Sequence, residues 1–424
     1  MTYEIAVIGA GPAGLMAART AAGQGLKVVV IEKRRDVSRI TRACWQHFIM
    51  DDGYENECIQ LRDGKIIFLR NGFEVAYNGP AFYITDKYFI SPRKHQVHFA
   101  HKDGRPIGVK FDKGILLRGL WESCERLGVE FRNGTVAYDA ADSAQGITVN
   151  LTCRGAKSTL RARKVIIADG ANSRIADALG MNTGRTLFAI AHSIIYTLEG
   201  VKDYERTATK FYMGLAYQSK ASVVILPTLD GDHVADMLIM GNKNDPPERI
   251  YHNVTTKGLL APMFEQAKLV KRTGCALKAF TSMMVPFQGN ALAIGDAAAY
   301  VEVENQGALM CGYHAGKAVV RELTGEKGFE GYTRWWQKSF EFNGPEALRV
   351  AQGYALVPTY RDDELDYLFA LTEDEVLEGT ISQYKSPRLL WDSILRHKEK
   401  IARERPELYE KIKRNHEMTL KGTF

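Results

Sequence analysis

An apolar run, Tyr3-Glu4-Ile5-Ala6-Val7-Ile8, leads straight into Gly9-Ala10-Gly11-Pro12-Ala13-Gly14, and a second run, Val28-Val29-Val30-Ile31, ends in Glu32. Strand, Gly-rich turn, helix, second strand and terminal acid in that order constrain the fold more than anything else in the chain. Together they are the opening of a dinucleotide-binding βαβ unit with the GxGxxG pattern. Gly9 makes the tight turn out of the strand. Gly11 leaves the backbone bare where a pyrophosphate must approach, so that its charge meets the N-terminus of the next helix. Pro12 and Ala13 belong to the same contact surface, and Gly14 with Ala18 lets the helix pack close to the sheet. Glu32, eighteen residues after Gly14, stands where a carboxylate accepts hydrogen bonds from ribose hydroxyls, with Lys33 beside it.

The rest of the chain must fit around that unit. Its 424 residues, 45% of them hydrophobic, allow two or three domains with real cores. No window reaches the ~18–20 apolar residues of a membrane span. The N-terminus is already strand-like and shows no basic-then-apolar leader, so a cytoplasmic protein is expected. Six cysteines, Cys44, Cys58, Cys124, Cys153, Cys275 and Cys311, are scattered without a CxxC pair or a Cys/His cluster. A reducing compartment and no metal site are therefore expected. The net charge of +6 is uneven, because residues 385–421 hold eleven Lys/Arg against six Asp/Glu. That surplus reads as a solvated helix face, or as a contact for an acidic partner or an anionic membrane. No nucleic-acid motif accompanies it.

Residues 60–111 alternate short β-like runs with Gly, Pro and Asn punctuation, and residues 112–128 have helical spacing closed by Gly128. Residues 186–245 are strand-rich, including Ser222-Val223-Val224-Ile225-Leu226-Pro227, and from about 307 the pattern is mostly helical. The expected fold class is α/β. A discontinuous Rossmann-like domain takes residues 1–65, 100–180 and 275–330. A β-rich substrate domain takes 66–99 and 181–274, and a helical C-terminal region takes 331–424.

Two later motifs sharpen this. Ala168-Asp169-Gly170-Ala171-Asn172-Ser173 ends one apolar strand, and Ala291-Leu292-Ala293-Ile294-Gly295-Asp296-Ala297 ends another. With the first fingerprint, and in this order, the chain resembles the flavoprotein superfamily that includes p-hydroxybenzoate hydroxylase and the geranylgeranyl reductases. The resemblance implies bound FAD. Asp296, preceded by Gly295, would hold the ribityl chain. A helix starting near Gly307 and Ala308 would aim its N-terminus at the flavin pyrimidine edge. Asp169 and Lys113 would be further cofactor contacts.

The geranylgeranyl reductase branch is the nearer one. Thr41-Arg42-Ala43-Cys44 is similar to its basic stretch and flavin-side cysteine, and Val224-Ile225-Leu226-Pro227 is similar to its substrate strand. The chain departs from that pattern at four places. Val301-Glu302-Val303-Glu304-Asn305-Gln306-Gly307 replaces a Gly-rich stretch, and Val223 and Val224 stand near the position of an aromatic. Lys113 replaces an arginine, and Trp45 follows the cysteine in place of glycine.

The resemblance makes Cys44 a candidate flavin-side thiol or proton donor, and His47, three residues on, would share a helical face with it. Glu302 and Glu304 are either solvated or turned to the substrate cavity. The function implied is reduction of a carbon–carbon double bond, in a prenyl or other apolar alkene, by hydride from reduced FAD. Two alternatives stand beside it. One is an aromatic hydroxylase using NAD(P)H and oxygen; the other is a flavin electron carrier without catalysis. With no second GxGxxG present, NAD(P)H would act as a transient reductant, and the electron donor is left open. A substrate small and apolar or aromatic is expected, with peripheral membrane or acidic-protein contact through the basic C-terminal segment.

Overall fold

The computed structural model describes residues 2–345 and 347–421. Its nucleotide-binding half is built on an eight-stranded sheet. The main path runs Glu130–Asn133, Val28–Glu32, Thr2–Ile8, Ala156–Ile167, Gly146–Cys153 and Thr135–Ser143, and Ala291–Ala293 pairs parallel with the end of Ala156–Ile167. Every residue of Val28–Glu32 is buried, as parallel strands covered on both faces require. The helix Pro12–Ala22 covers one face, with Gly11 as its N-cap and proline in its first turn.

The long helix Glu304–Leu323 lies across Pro12–Ala22 at very short range. A Cβ on Gly312 would sit 2.3 Å from the Ala13 carbonyl oxygen, and one on Gly316 would sit 2.5 Å from Thr20 Cβ. Two small residues four apart thus let the two backbones touch.

A second eight-stranded sheet runs Lys268–Phe280, Leu187–Glu199, Val234–Gly241, Val223–Pro227, Ala208–Tyr212, Asp86–Ile90, Gln96–Ala100 and Val376–Glu378. It draws strands from three separate stretches of chain, so its membership differs from the expected boundaries. Within 66–99, the residues Ile66, Phe68, Phe73 and Val75 join the core of the nucleotide-binding half. Only the later hairpin, Asp86–Ile90 and Gln96–Ala100, enters the large sheet. The mostly helical C-terminal region gives that sheet an edge strand, Val376–Glu378, parallel to Gln96–Ala100.

The helix Lys385–Arg396 buries Leu390, Trp391 and Ile394 in a core shared with Phe89, Val97 and Phe99. Its cations Arg388 and Arg396 face outward. The basic segment is therefore an integral wall of the molecule with a charged outer face. Among the described residues, no helix is long and apolar enough to cross a membrane.

Candidate functional site

The first fingerprint folds as its glycines require. Gly9 has φ +104°, and a Cβ there would lie 2.4 Å from the Ala168 carbonyl oxygen. A Cβ on Gly14 would lie 1.9 Å from the Gly9 carbonyl oxygen, whereas one on Gly11 would meet nothing within 4 Å. Two glycines seal the turn and the third opens it. The space over Gly11, at a helix start with no acid in its first turn, is what a pyrophosphate needs.

At the far end of this groove Glu32 is 4% exposed. One carboxylate oxygen accepts the Ala10 amide at 2.8 Å, and the other accepts the Arg34 amide at 2.8 Å and its Nε at 3.0 Å. Burial opposes charge on Glu32, but the Arg34 side chain and the two amides outweigh it and hold the carboxyl below its usual range. Lys33 is exposed. Arg34 fills the role next to the acid, because alternation along an extended chain returns residue 34 to the face of residue 32.

Asp296 lies in the turn Gly295–Ala297, packed on Ala13 of the phosphate helix: a Cβ on Gly295 would lie 3.2 Å from the Ala13 Cβ. It accepts the Val303 amide at 3.1 Å through one oxygen, and its other oxygen is 3.9 Å from the Arg42 guanidinium. Arg185 steadies the same loop by donating to the carbonyls of Thr281, Ala297 and Ala299 at 2.6, 3.0 and 2.6 Å. Asp169 accepts the Arg174 amide at 3.1 Å with one oxygen, while the other is buried and unpaired. Open space at Gly11, an oriented carboxylate at each end and an orphaned acceptor between them fit an extended dinucleotide such as FAD.

Gly307 does not begin the helix. The helix begins at Glu304, with Val303 as its N-cap, because Asp296 draws in the Val303 amide. Gly307 is sealed inside: a Cβ there would lie 2.8 Å from the Phe340 ring and 3.0 Å from Tyr54. Its missing side chain admits two aromatic rings, and Ala308 is buried beside it.

Cys44 lies in an extended stretch, so it shares no helical face with His47. Its sulfur meets Lys113 Nζ at 3.5 Å and Asn305 Nδ2 at 3.6 Å. Lys113 opens the helix Lys113–Arg126, capped by Asp112, and its amide donates to Gln46 at 2.9 Å. His47 instead enters the strand His47–Ile49 and turns its ring to Trp45, 5.2 Å away. Burial, with Lys110 and Lys87 nearby, pushes His47 down to about 3. It is a neutral imidazole with no proton to give at neutral pH.

The residues on either side of Cys44 reach an apolar cluster of the second sheet: Ile195, Val224, Leu226 and Leu238, with Ala43, Trp45 and Phe211 packed on them. Trp45 therefore fills against the strand whose aromatic is missing, and two of the departures in sequence share one surface. Two buried cations underlie it. Lys110 pairs with Asp236 at 3.4 Å, and Asp236 accepts Thr197 at 2.6 Å. Lys87 donates to the Ile381 carbonyl at 3.2 Å and to Ser386 at 2.8 Å, and its ammonium lies 5.1 to 5.6 Å from the rings of Phe211, Phe89 and Phe99.

Arg42 and Asn305 stand in segments singled out from the sequence, though their partners are not legible there; Lys87, Lys110 and Arg185 are not legible as site residues, since each acts across a long sequence separation. Only Lys87 left a local trace, on the same period-two face as Phe89. All six cysteines are free, and among the described residues no cluster of His, Cys, Asp and Glu could hold a metal.

Comparison with known proteins agrees with this geometry. The profile of an FAD binding domain matches residues 2–305. A digeranylgeranylglycerophospholipid reductase of Methanosarcina acetivorans is 26% identical over 338 residues, covering 77% of this chain and 75% of that protein. One of Methanosphaerula palustris is 24% identical over 426 residues, covering 97% of each. Among solved structures, a geranylgeranyl bacteriochlorophyll reductase-like protein from Thermoplasma acidophilum superimposes with a TM-score of 0.74 at 19% identity, covering 98% of this chain and 99% of that one. p-Nitrophenol 4-monooxygenase from Pseudomonas putida gives 0.64 at 16% identity, covering 94% and 98%.

Proposed function

The chain belongs to the FAD binding domain family, and from that premise we propose that it reduces a carbon–carbon double bond in an apolar, prenyl-type substrate. The observation that carries this reading is the apolar cluster of Ile195, Val224, Leu226 and Leu238, on which the two neighbours of Cys44, Ala43 and Trp45, pack, while Cys44 itself meets Lys113 and Asn305. Such a cluster offers apolar contact to an alkene and excludes water. The naming of relatives that match nearly end to end supports the same substrate class. FAD, when bound and reduced, supplies the hydride. The protein's own groups hold its phosphates at Gly11 and its two ends at Glu32 and Asp296. NAD(P)H serves as a transient reductant.

The test is anaerobic mixing of the photoreduced, FAD-loaded protein with a prenyl alkene, and separately with oxygen plus an aromatic. Alkene-dependent reoxidation with a saturated product is expected. Oxygen consumption coupled to a hydroxylated aromatic would make the protein a hydroxylase instead, and reoxidation with no product of either kind would make it an electron carrier.

A lipid-borne substrate calls for peripheral contact with a membrane, and the outward face carrying Arg388, Arg396, Lys398 and Lys400 has the charge for it. Sedimentation with anionic but not neutral vesicles, lost when these four are changed to glutamine, is the expected result. Equal sedimentation with neutral vesicles would refute the contact.

A further inference from the structure

Between the Gly-Asp turn and the long helix, the backbone enters the left-handed region at two residues that are not glycine, Val301 (φ 65°) and Glu304 (φ 57°). Such positions are costly and persist only where the surroundings enforce them. Here they fix the course of the chain around two acids, each half-buried. Glu302 lies among Asp296, Arg42 and Lys113, the groups of the cofactor side. Glu304 lies among Glu302, Lys87, Glu341 and Cys44, toward the substrate side.

An aromatic shell closes over them. Tyr54 packs on Phe340 at 4.6 Å and on Tyr384 at 5.8 Å, and the Tyr384 hydroxyl donates to the Glu302 carbonyl at 3.4 Å. Tyr354 faces both acids as well. Polar capacity in this shell is left unfilled. Among the described residues neither carboxylate accepts a hydrogen bond, and the amide of Gln306, wholly buried one turn into the helix, is unpaired at both ends. The Tyr54 hydroxyl, 2% exposed, is likewise without a geometric partner.

We propose that Glu304 is the proton donor of the reduction and that Glu302 is the relay that recharges it. This rests on the reductase reading. Two electrons and one hydrogen reach the alkene as hydride from the reduced flavin, forming the first C–H bond as the π bond breaks. The Glu304 O–H bond breaks and its proton forms the second C–H bond. The alkene is reduced, the flavin is oxidised, and Glu304 is left as a carboxylate that regains a proton from solvent through Glu302.

Charge favours this assignment. Burial, then Asp296, pushes Glu302 up to about 7 against Arg42 and Lys113. Burial, then Glu302, pushes Glu304 up to about 8, with Lys87 opposing and Glu341 and Cys44 adding to the rise. Two neighbouring carboxylates resist ionising together, so the pair holds a proton at neutral pH. His47, held neutral, cannot substitute.

The test combines infrared titration of the FAD-loaded protein with single-turnover reoxidation by a prenyl alkene, in wild type, Glu304→Gln, Glu304→Asp and Glu302→Gln. A protonated-carboxyl band should persist in wild type and titrate between about pH 7 and 8. It should be diminished in Glu304→Gln and retained in Glu304→Asp. Alkene-dependent reoxidation should fall by about 10²-fold or more in Glu304→Gln, with flavin content unchanged, and partly recover in Glu304→Asp.

Absence of the band at pH 7, or a Glu304→Gln enzyme with the wild-type rate and pH profile, overturns the proposal. If no alkene reoxidises wild-type flavin while the band titrates as expected and depends on Glu304, the proton-holding site stands and the reductase reading fails.

Discussion

The Nζ of Lys113 stands 3.5 Å from the Sγ of Cys44, although 69 residues separate them in sequence. The same lysine begins a helix, so a side-chain cation and the positive end of a helix both lie near the thiol. Neither residue touches Gly11 or Glu32 in the nucleotide groove, and this separates the role of the thiol from cofactor retention.

Cys44→Ser is therefore expected to keep full FAD occupancy, and Lys113→Met to remove the cation beside the thiol. Each should change alkene-dependent reoxidation by about tenfold, the equivalent of ~1.4 kcal/mol for a lost contact to a charged group. Flavin absorbance per protein and single-turnover rates check this. Unchanged rates would make Cys44 a packing residue.

Two glycines of one motif should respond in opposite ways. Gly11 has φ −80° and free space at its Cβ, so Gly11→Ala should fold and melt like wild type yet bind FAD poorly. Gly14→Ala puts a Cβ 1.9 Å from the Gly9 carbonyl oxygen and should lower the melting temperature even without cofactor. Apo-protein melting curves with FAD titration distinguish the two. Normal FAD affinity in Gly11→Ala would place the pyrophosphate elsewhere.

Asp296→Asn should weaken FAD by about 1.5–3 kcal/mol if a charge-assisted hydrogen bond to the cofactor is lost. The Val303 amide still finds an acceptor in the new side chain, so the helix start should stay in place. Equilibrium dialysis measures the affinity. Wild-type affinity would show that Asp296 serves only its own loop.

His47 links stability to acid. Its folded-state value, about 3, lies below the ordinary 6.5, so between those values the unfolded chain binds more protons than the folded one. Stability contributed by the neutral ring is complete above about pH 6.5 and falls as the pH drops toward 3. Over pH 7.5 to 4.5 the urea midpoint of His47→Gln should decline less steeply than that of wild type. Parallel curves would mean that the ring is hydrated or paired in solution.

The parts legible from sequence are those whose physics is local. The turn at Gly9–Gly14, the acid at Glu32, the turn at Asp296, the helix Lys113–Arg126 and the strand Val223–Pro227 all follow from patterns confined to short, continuous stretches of chain. The chemistry around them does not. Asn305 reaches Cys44 across 261 residues, Arg42 reaches Asp296 only after both strands are in place, and Lys385 reaches Asp52 from the far end of the chain. His47 was expected to share a face with Cys44 because a helical period was assumed. The segment is irregular, with Gln46 at φ 52°, and it turns the His47 ring toward Trp45. The smallness of Gly307 has a reason that only the packing of distant Tyr54 and Phe340 reveals.

The backbone contact at Gly312 and Gly316 has an evolutionary consequence. One wall of the cavity is bolted to the helix that grips the dinucleotide, and a methyl group at either glycine would force that joint apart. The second sheet, assembled from three separate stretches of chain, is under no such limit. Descendants of this architecture are thus free to exchange one substrate for another by redrawing a single side of the chamber, with the redox partner's seat left as it was inherited.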